Sequence, residues 1–131
     1  MEEKSYGLGV SVEGPFGMAL ERVKDVFKEH GFGTLTEINV QATLKEKLGA
    51  EIEPYTILGV CNPSLAIRAI EAEHEVGLLL PCTILVHECG GRVHVSVQNP
   101  DLIVGITGNE GLAPVASEAK DVVRRALKAL A

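Results

Sequence analysis

The chain has no tryptophan, only two tyrosines and three phenylalanines, and three cysteines in 131 residues. Positive charge is also scarce, with twelve Lys and Arg against eighteen Asp and Glu and a net charge of -6. An acidic chain with so few aromatics offers no basic stripe along which a phosphate backbone could run, so no nucleic-acid partner is expected. No apolar run approaches the roughly 18 residues of a membrane span, and the opening MEEKSYGLGV lacks the basic and long apolar regions of a secretory signal. A cytoplasmic protein with no membrane partner is the expectation. An odd number of cysteines argues against the full disulfide framework of a secreted domain and for a reducing compartment, with at most one internal bridge. Only two Gln and four Asn occur. That scarcity of thermolabile amides is a feature of thermophile proteins, in which an intracellular disulfide is less unusual.

Signatures of nucleotide and acyl chemistry are missing as well. The glycines from Gly7 to Gly9 and from Gly31 to Gly33 lack the G-x-G-x-x-G spacing of a dinucleotide fingerprint, and no Gly-Lys-Ser/Thr loop is present. None of the five serines lies in a nucleophile-elbow context, so no triad is legible and no cofactor is named.

What remains is ordinary globular material, 46% hydrophobic and 23% charged. Its length suits one domain spanning residues 1–131, since independent domains usually run to about 100–150 residues. Tyr6 to Val12 alternates as a strand and runs into Gly14-Pro15, with the proline in a first helical turn. Phe16, Leu20, Val23 and Phe27 then recur at helical spacing, and Gly31 stands where a left-handed cap is wanted. Thr34 to Ile38 reads as a second strand, with Asn39 capping a short helix that ends at Gly49. Tyr55 to Cys61 reads as a third, and Asn62-Pro63 is an N-cap followed by a proline that opens a helix through Ala66, Ile67 and Ile70.

Gly77 to Cys89 is a long apolar run that meets Arg92 to Gln98 across Gly90-Gly91, a two-residue hairpin turn. Register then follows by counting. Cys89 faces Arg92, His87 faces His94, Leu85 faces Ser96, and Cys82 lies level with Asn99. Alternation puts Cys82, Ile84, Val86, Val93, Val95 and Val97 on one face beneath the helices, and Thr83, Leu85, His87, Cys89, His94 and Ser96 on the other. Pro100 and Gly108-Asn109 bound an irregular stretch, and Pro114 begins a last helix striped by Val115, Ala119, Val122, Ala126 and Leu130. The order β-α-β-(short α)-β-α-β-β-α predicts an α+β two-layer sandwich, a mainly antiparallel sheet with helices packed on one face.

Two constellations carry chemistry. Cys61 ends a strand beside a helix N-terminus, whose dipole can lower a thiol pKa for redox exchange or soft-ligand binding. Its alternative role is that of a small buried hydrophobe, with Asn62 and Pro63 explained by capping alone. Cys82 follows Pro81, whose missing N–H suggests an edge, a bulge or a strand start. The two thiols could bridge, which needs Cα atoms within about 7 Å, or line one pocket, or never meet. His87 and His94, with Cys89 two residues on, have the ligand types of a zinc or copper site. Their spacing is no recognised zinc signature, half-exposed histidines on an open or interface-forming sheet face are common, and a metal site needs ligand geometry as well as ligand type.

The runs "ATLKEKLG" (Ala42 to Gly49), "PYTILGVCNPSLA" (Pro54 to Ala66), "VGLLLPCTILVHE" (Val76 to Glu88) and "GRVHVSVQNP" after it resemble the family called domain of unknown function 302. The resemblance runs from about Gly31 to the C-terminus. It implies a compact α+β domain with the topology of the TATA-binding-protein fold, without its DNA function, and pairing as a homodimer. It implies no activity. Cys61, Asn62 and Pro63 fall on one family motif and Leu80, Pro81 and Cys82 on another, whereas Cys89 and the histidines match none. The functional expectation is a dimeric module binding a small molecule in a cleft near Cys61, Asn62, Pro63, Pro81 and Cys82. The alternatives are a thiol redox protein or enzyme using Cys61, and a purely structural or regulatory association domain.

Overall fold

Alternation between Cys82 and Gln98 decides which side of this protein is inside. The computed structural model describes residues 1–131. Its strands are β1 (Glu2–Glu3), β2 (Gly7–Val12), β3 (Gly33–Asn39), β4 (Tyr55–Cys61), β5 (Cys82–Cys89) and β6 (Arg92–Gln98). They form one sheet in the order β1-β2-β6-β5-β4-β3, and every pairing is antiparallel. The β5–β6 hairpin turns on Gly90 and Gly91 at φ 60° and 79°, the two positive values that a type I′ turn demands and that glycine adopts without a steric cost. Cys89 pairs with Arg92, His87 with His94 and Leu85 with Ser96. Ile84, Val86, Val93, Val95 and Val97 are buried, whereas Leu85, His87, His94 and Ser96 on the other face are half-buried.

The helices are α1 (Phe16–Glu29), α2 (Val40–Leu48), α3 (Pro63–Ala72), α4 (Leu102–Thr107) and α5 (Ala113–Leu130), with 3₁₀ turns at His74–Leu79 and Glu110–Leu112. Apolar stripes on α1 (Leu20, Val23, Phe27) and α5 (Val115, Val123, Leu127, Leu130) are buried with the sheet residues in one continuous core. The result is the two-layer α+β sandwich, with an antiparallel sheet and helices on one face. No helix is long and apolar enough to cross a membrane.

Several local expectations are corrected. The apolar run from Gly77 does not extend β5, which begins at Cys82. Residues from His74 to Leu79 coil into a 3₁₀ helix that buries Val76 and leaves Leu78 83% exposed, and Pro81, with no N–H to give a ladder, marks the boundary. Helix α3 buries Leu65 and Ala69, four residues apart on one side. Ile67 and Ile70, expected in its apolar stripe, are 57% and 40% exposed. Pro15 is the extended residue before α1, at φ -62° and ψ 144°, rather than its first helical residue. The stretch after Pro100, expected to be irregular, contains α4. β1 adds a two-residue edge strand to β2.

Because Val95 is fully buried, Val95→Asp is expected to abolish the cooperative urea transition. An unpaired buried carboxylate costs several kcal/mol, comparable with a whole domain stability of about 5–15 kcal/mol. Thr83→Asp, at an exposed position of the opposite face, should keep a near-parental midpoint by circular dichroism, and equal damage from both would refute the face assignment.

Candidate functional site

The register that buries the valines also gathers one end of the sheet. Val60 pairs with Cys82 and Ile84 with Val97, so the end of β4, the start of β5 and the end of β6 come together. Helix α3 leaves from β4 there. Its first residue follows Asn62, whose Oδ1 accepts from the Leu65 N–H at 3.3 Å and from the Ser64 hydroxyl at 2.9 Å. Capping by Asn62 and the fixed φ of Pro63 thus set where Cys61 ends its strand. Gly31, at φ 89°, leaves room for this cap, since a Cβ there would lie 2.9 Å from Asn62 Nδ2.

Between these strand ends and α3, the 74–79 turn, α4 and α5 lies a cleft of about 370 Å³. Cys61, Asn62, Pro81 and Cys82 line it, together with Phe32, Leu65, Leu80, Ile103 and Val115. Pro63 does not; it is exposed as the first residue of α3. The polar lining consists of Asn62, Gln98 and Asn99, and no Asp, Glu, Lys, Arg or His side chain reaches it. Asn99 is committed to the backbone, accepting from the Asp101 N–H at 3.0 Å and donating to the Lys4 carbonyl at 3.4 Å. Gln98 Oε1 accepts from the Thr83 N–H at 3.3 Å. The surface that the cleft offers is almost wholly apolar.

All three cysteines are free. Val60 is the residue opposite Cys82, so Cys61, one residue further along, points to the other side of the sheet by the two-residue period. Both residues line the cleft, but their thiols leave the sheet on opposite sides and are not bridged. Cys82 keeps some surface on the cleft, yet burial pushes its thiol up to about 12, which leaves it protonated and without nucleophilic character at neutral pH.

The histidines lie elsewhere, on the open face. Their ring centres are 5.3 Å apart with planes at 30°. Tyr55 lies 5.7 Å from the His87 ring, and His94 Nδ1 sits 2.9 Å from Ser11 Oγ. Burial, helped by the facing His94, lowers the pKa of His87. Cys89 is exposed at the turn end of the same face, and no three His, Cys, Asp or Glu side chains gather into a metal-holding group.

Sequence reasoning did not select Gln98, Phe32, Ile103 or Val115 as cleft residues. Hairpin counting, which set Asn99 level with Cys82, carried the signal for Gln98 beside it. Phe32, Ile103 and Val115 come from segments distant in sequence, and no local pattern marks them.

The model of the family described as domain of unknown function DUF302 matches residues 8–130. Among solved structures the chain is similar to an uncharacterised conserved DUF302 protein from Bacillus stearothermophilus, at 28% identity and a TM-score of 0.90. The similarity covers 98% of this chain and 100% of that one. No curated protein matches the chain.

The Cys82 thiol gives a pH dependence with a definite sign. In the unfolded chain it titrates near 9.0 and in the folded protein near 12, so the folded state holds a proton that the unfolded state releases. Its stabilising effect is complete below pH 9 and is lost as pH rises toward 12. Over that window the urea midpoint of the parent should fall more than that of Cys82→Ala, and parallel decline of the two would remove the assigned role.

Proposed function

The chain belongs to the family of the domain of unknown function DUF302, and on that premise we propose that it is a small-molecule-binding module whose ligand is uncharged and mainly apolar. The observation that carries this reading is the cleft at the strand ends, about 370 Å³ in volume and free of charged lining side chains. Ligand sites are concave and mostly apolar, with a few polar groups that fix orientation. Here the exposed lining is almost wholly apolar, which suits a ligand that is mostly hydrocarbon. A charged ligand would lose its hydration there without gaining a counter-charge.

A thiol enzyme using Cys61 has less support. Nucleophilic catalysis needs a base beside the nucleophile or a means of holding it ionised, and no carboxylate or imidazole lines the cleft.

Pairing into a homodimer belongs to the same proposal. Leu35 and Ile38 on β3, and Ile67 and Ile70 on α3, are large apolar side chains left exposed, and β3 is an edge strand with one side unpaired. Exposed apolar edge strands are commonly covered by a partner. Light scattering at micromolar concentration is expected to give twice the 13.9 kDa chain mass, and the single-chain mass would remove the dimer from the proposal.

The cleft itself is tested by filling it. Ala66 lines it from a half-exposed position on α3, so Ala66→Phe should occupy the space without disturbing the core. Titration with Nile red, a neutral environment-sensitive dye, should show saturable binding to the parent, displaceable by a medium-chain alcohol. Ala66→Phe should weaken it by about tenfold or more, a change of ~1.4 kcal/mol, at an unchanged melting temperature. Absence of saturable binding by the parent would overturn the reading.

A further inference from the structure

We propose that His87 and His94 form a two-imidazole site for a divalent cation of the zinc class on the open face of the sheet, remote from the apolar cleft. The two residues are direct partners across the β5–β6 ladder, where opposed Cβ atoms stand about 5 Å apart. Their ring centres are 5.3 Å apart. Two imidazoles bound to one tetrahedral zinc through nitrogen at about 2.1 Å place their ring centres roughly 5 Å apart. The ring spacing matches that of two imidazoles on one ion, and the strands hold it without a ligand.

The surroundings of each ring fit that role. Ser11 on β2 is the ladder partner of His94, and its Oγ lies 2.9 Å from His94 Nδ1. When Nδ1–H donates to that hydroxyl, Nε2 carries the free lone pair, the outer-sphere arrangement by which metal-binding histidines are fixed in tautomer and orientation. His87 is packed between the Tyr55 ring and His94. No third protein ligand joins the pair, so the remaining coordination positions belong to water or an incoming ligand atom. Imidazole donors select zinc, copper and nickel over magnesium and calcium, which prefer oxygen.

The test is calorimetric titration of the full chain with zinc chloride near neutral pH, paired with nitrogen NMR of the histidine rings. One equivalent of Zn²⁺ is expected to bind, moving the ring resonances of His87 and His94. His87→Gln and His94→Gln should each weaken binding at least tenfold, while His30→Gln, His74→Gln and Cys89→Ser leave it unchanged. Because His87 and His94 are half-buried on the open face, their variants should keep the parental circular dichroism spectrum. One-equivalent binding that survives both substitutions, or parental affinity no tighter than that of either variant, would overturn the proposal.

Discussion

The pairing of β5 with β6 is the constraint on which the rest of the molecule depends. A slip of one residue would turn either Ile84 and Val86 of β5 or Val93, Val95 and Val97 of β6 to the open face and drive that strand's opposite set, with its histidine, into the core. The two positive-φ glycines at the turn oppose that slip, because a turn one residue longer or shorter changes the parity of the ladder. From this hairpin the register spreads outward. Ile84 faces Leu58 on β4 and Val97 faces Leu8 on β2, and all four are buried. Full burial of such side chains is worth about 1.5–3 kcal/mol each, so the same parity that sets the hairpin also supplies most of the apolar surface under α1 and α5.

Where one rule dominates, the sequence is readable. The Gly90-Gly91 turn, the Asn62-Pro63 helix start and the stripe of α1 rest on short-range sterics, capping and periodicity, and the structure has each in place. Where two rules compete, the sequence is ambiguous. Val76 to Leu80 is apolar without alternating, so hydrophobicity favours a strand while Gly77 and Pro81 favour a break, and the break prevails. In α3 the large residues Ile67 and Ile70 outweigh Ala69 on any hydrophobicity scale. The core side of α3 instead carries Leu65 and the small Ala69, four residues apart, with Ile67 and Ile70 turned away from it. The cleft follows the same division. Its motif residues Cys61, Asn62, Pro81 and Cys82 are local features, whereas Phe32, Ile103 and Val115 reach it only through the chain's path.

Helix α3 explains why the cleft is neutral in character although a helix N-terminus borders it. Free amides at a helix start attract anions, yet here Asn62 Oδ1 already accepts from the Leu65 amide and Pro63 has no N–H to offer. Capping has removed the feature that would draw a phosphate or carboxylate. Cys82, pushed up to about 12 by burial, adds no negative charge either. Together they leave a cavity in which shape and apolar contact discriminate among ligands.

The two faces of the sheet are thereby separated into different chemical environments by the alternation that folds it. Residues pointing toward the helices meet apolar neighbours, and the only titratable group among them at the cleft is a thiol that stays protonated. Residues pointing away keep partial contact with water, and among them Ser11 meets the His94 ring. Neither environment can be moved to the other side without reversing the β5–β6 register. A substitution on one face therefore reaches the other only by displacing backbone, and the sheet's ladder hydrogen bonds oppose that displacement.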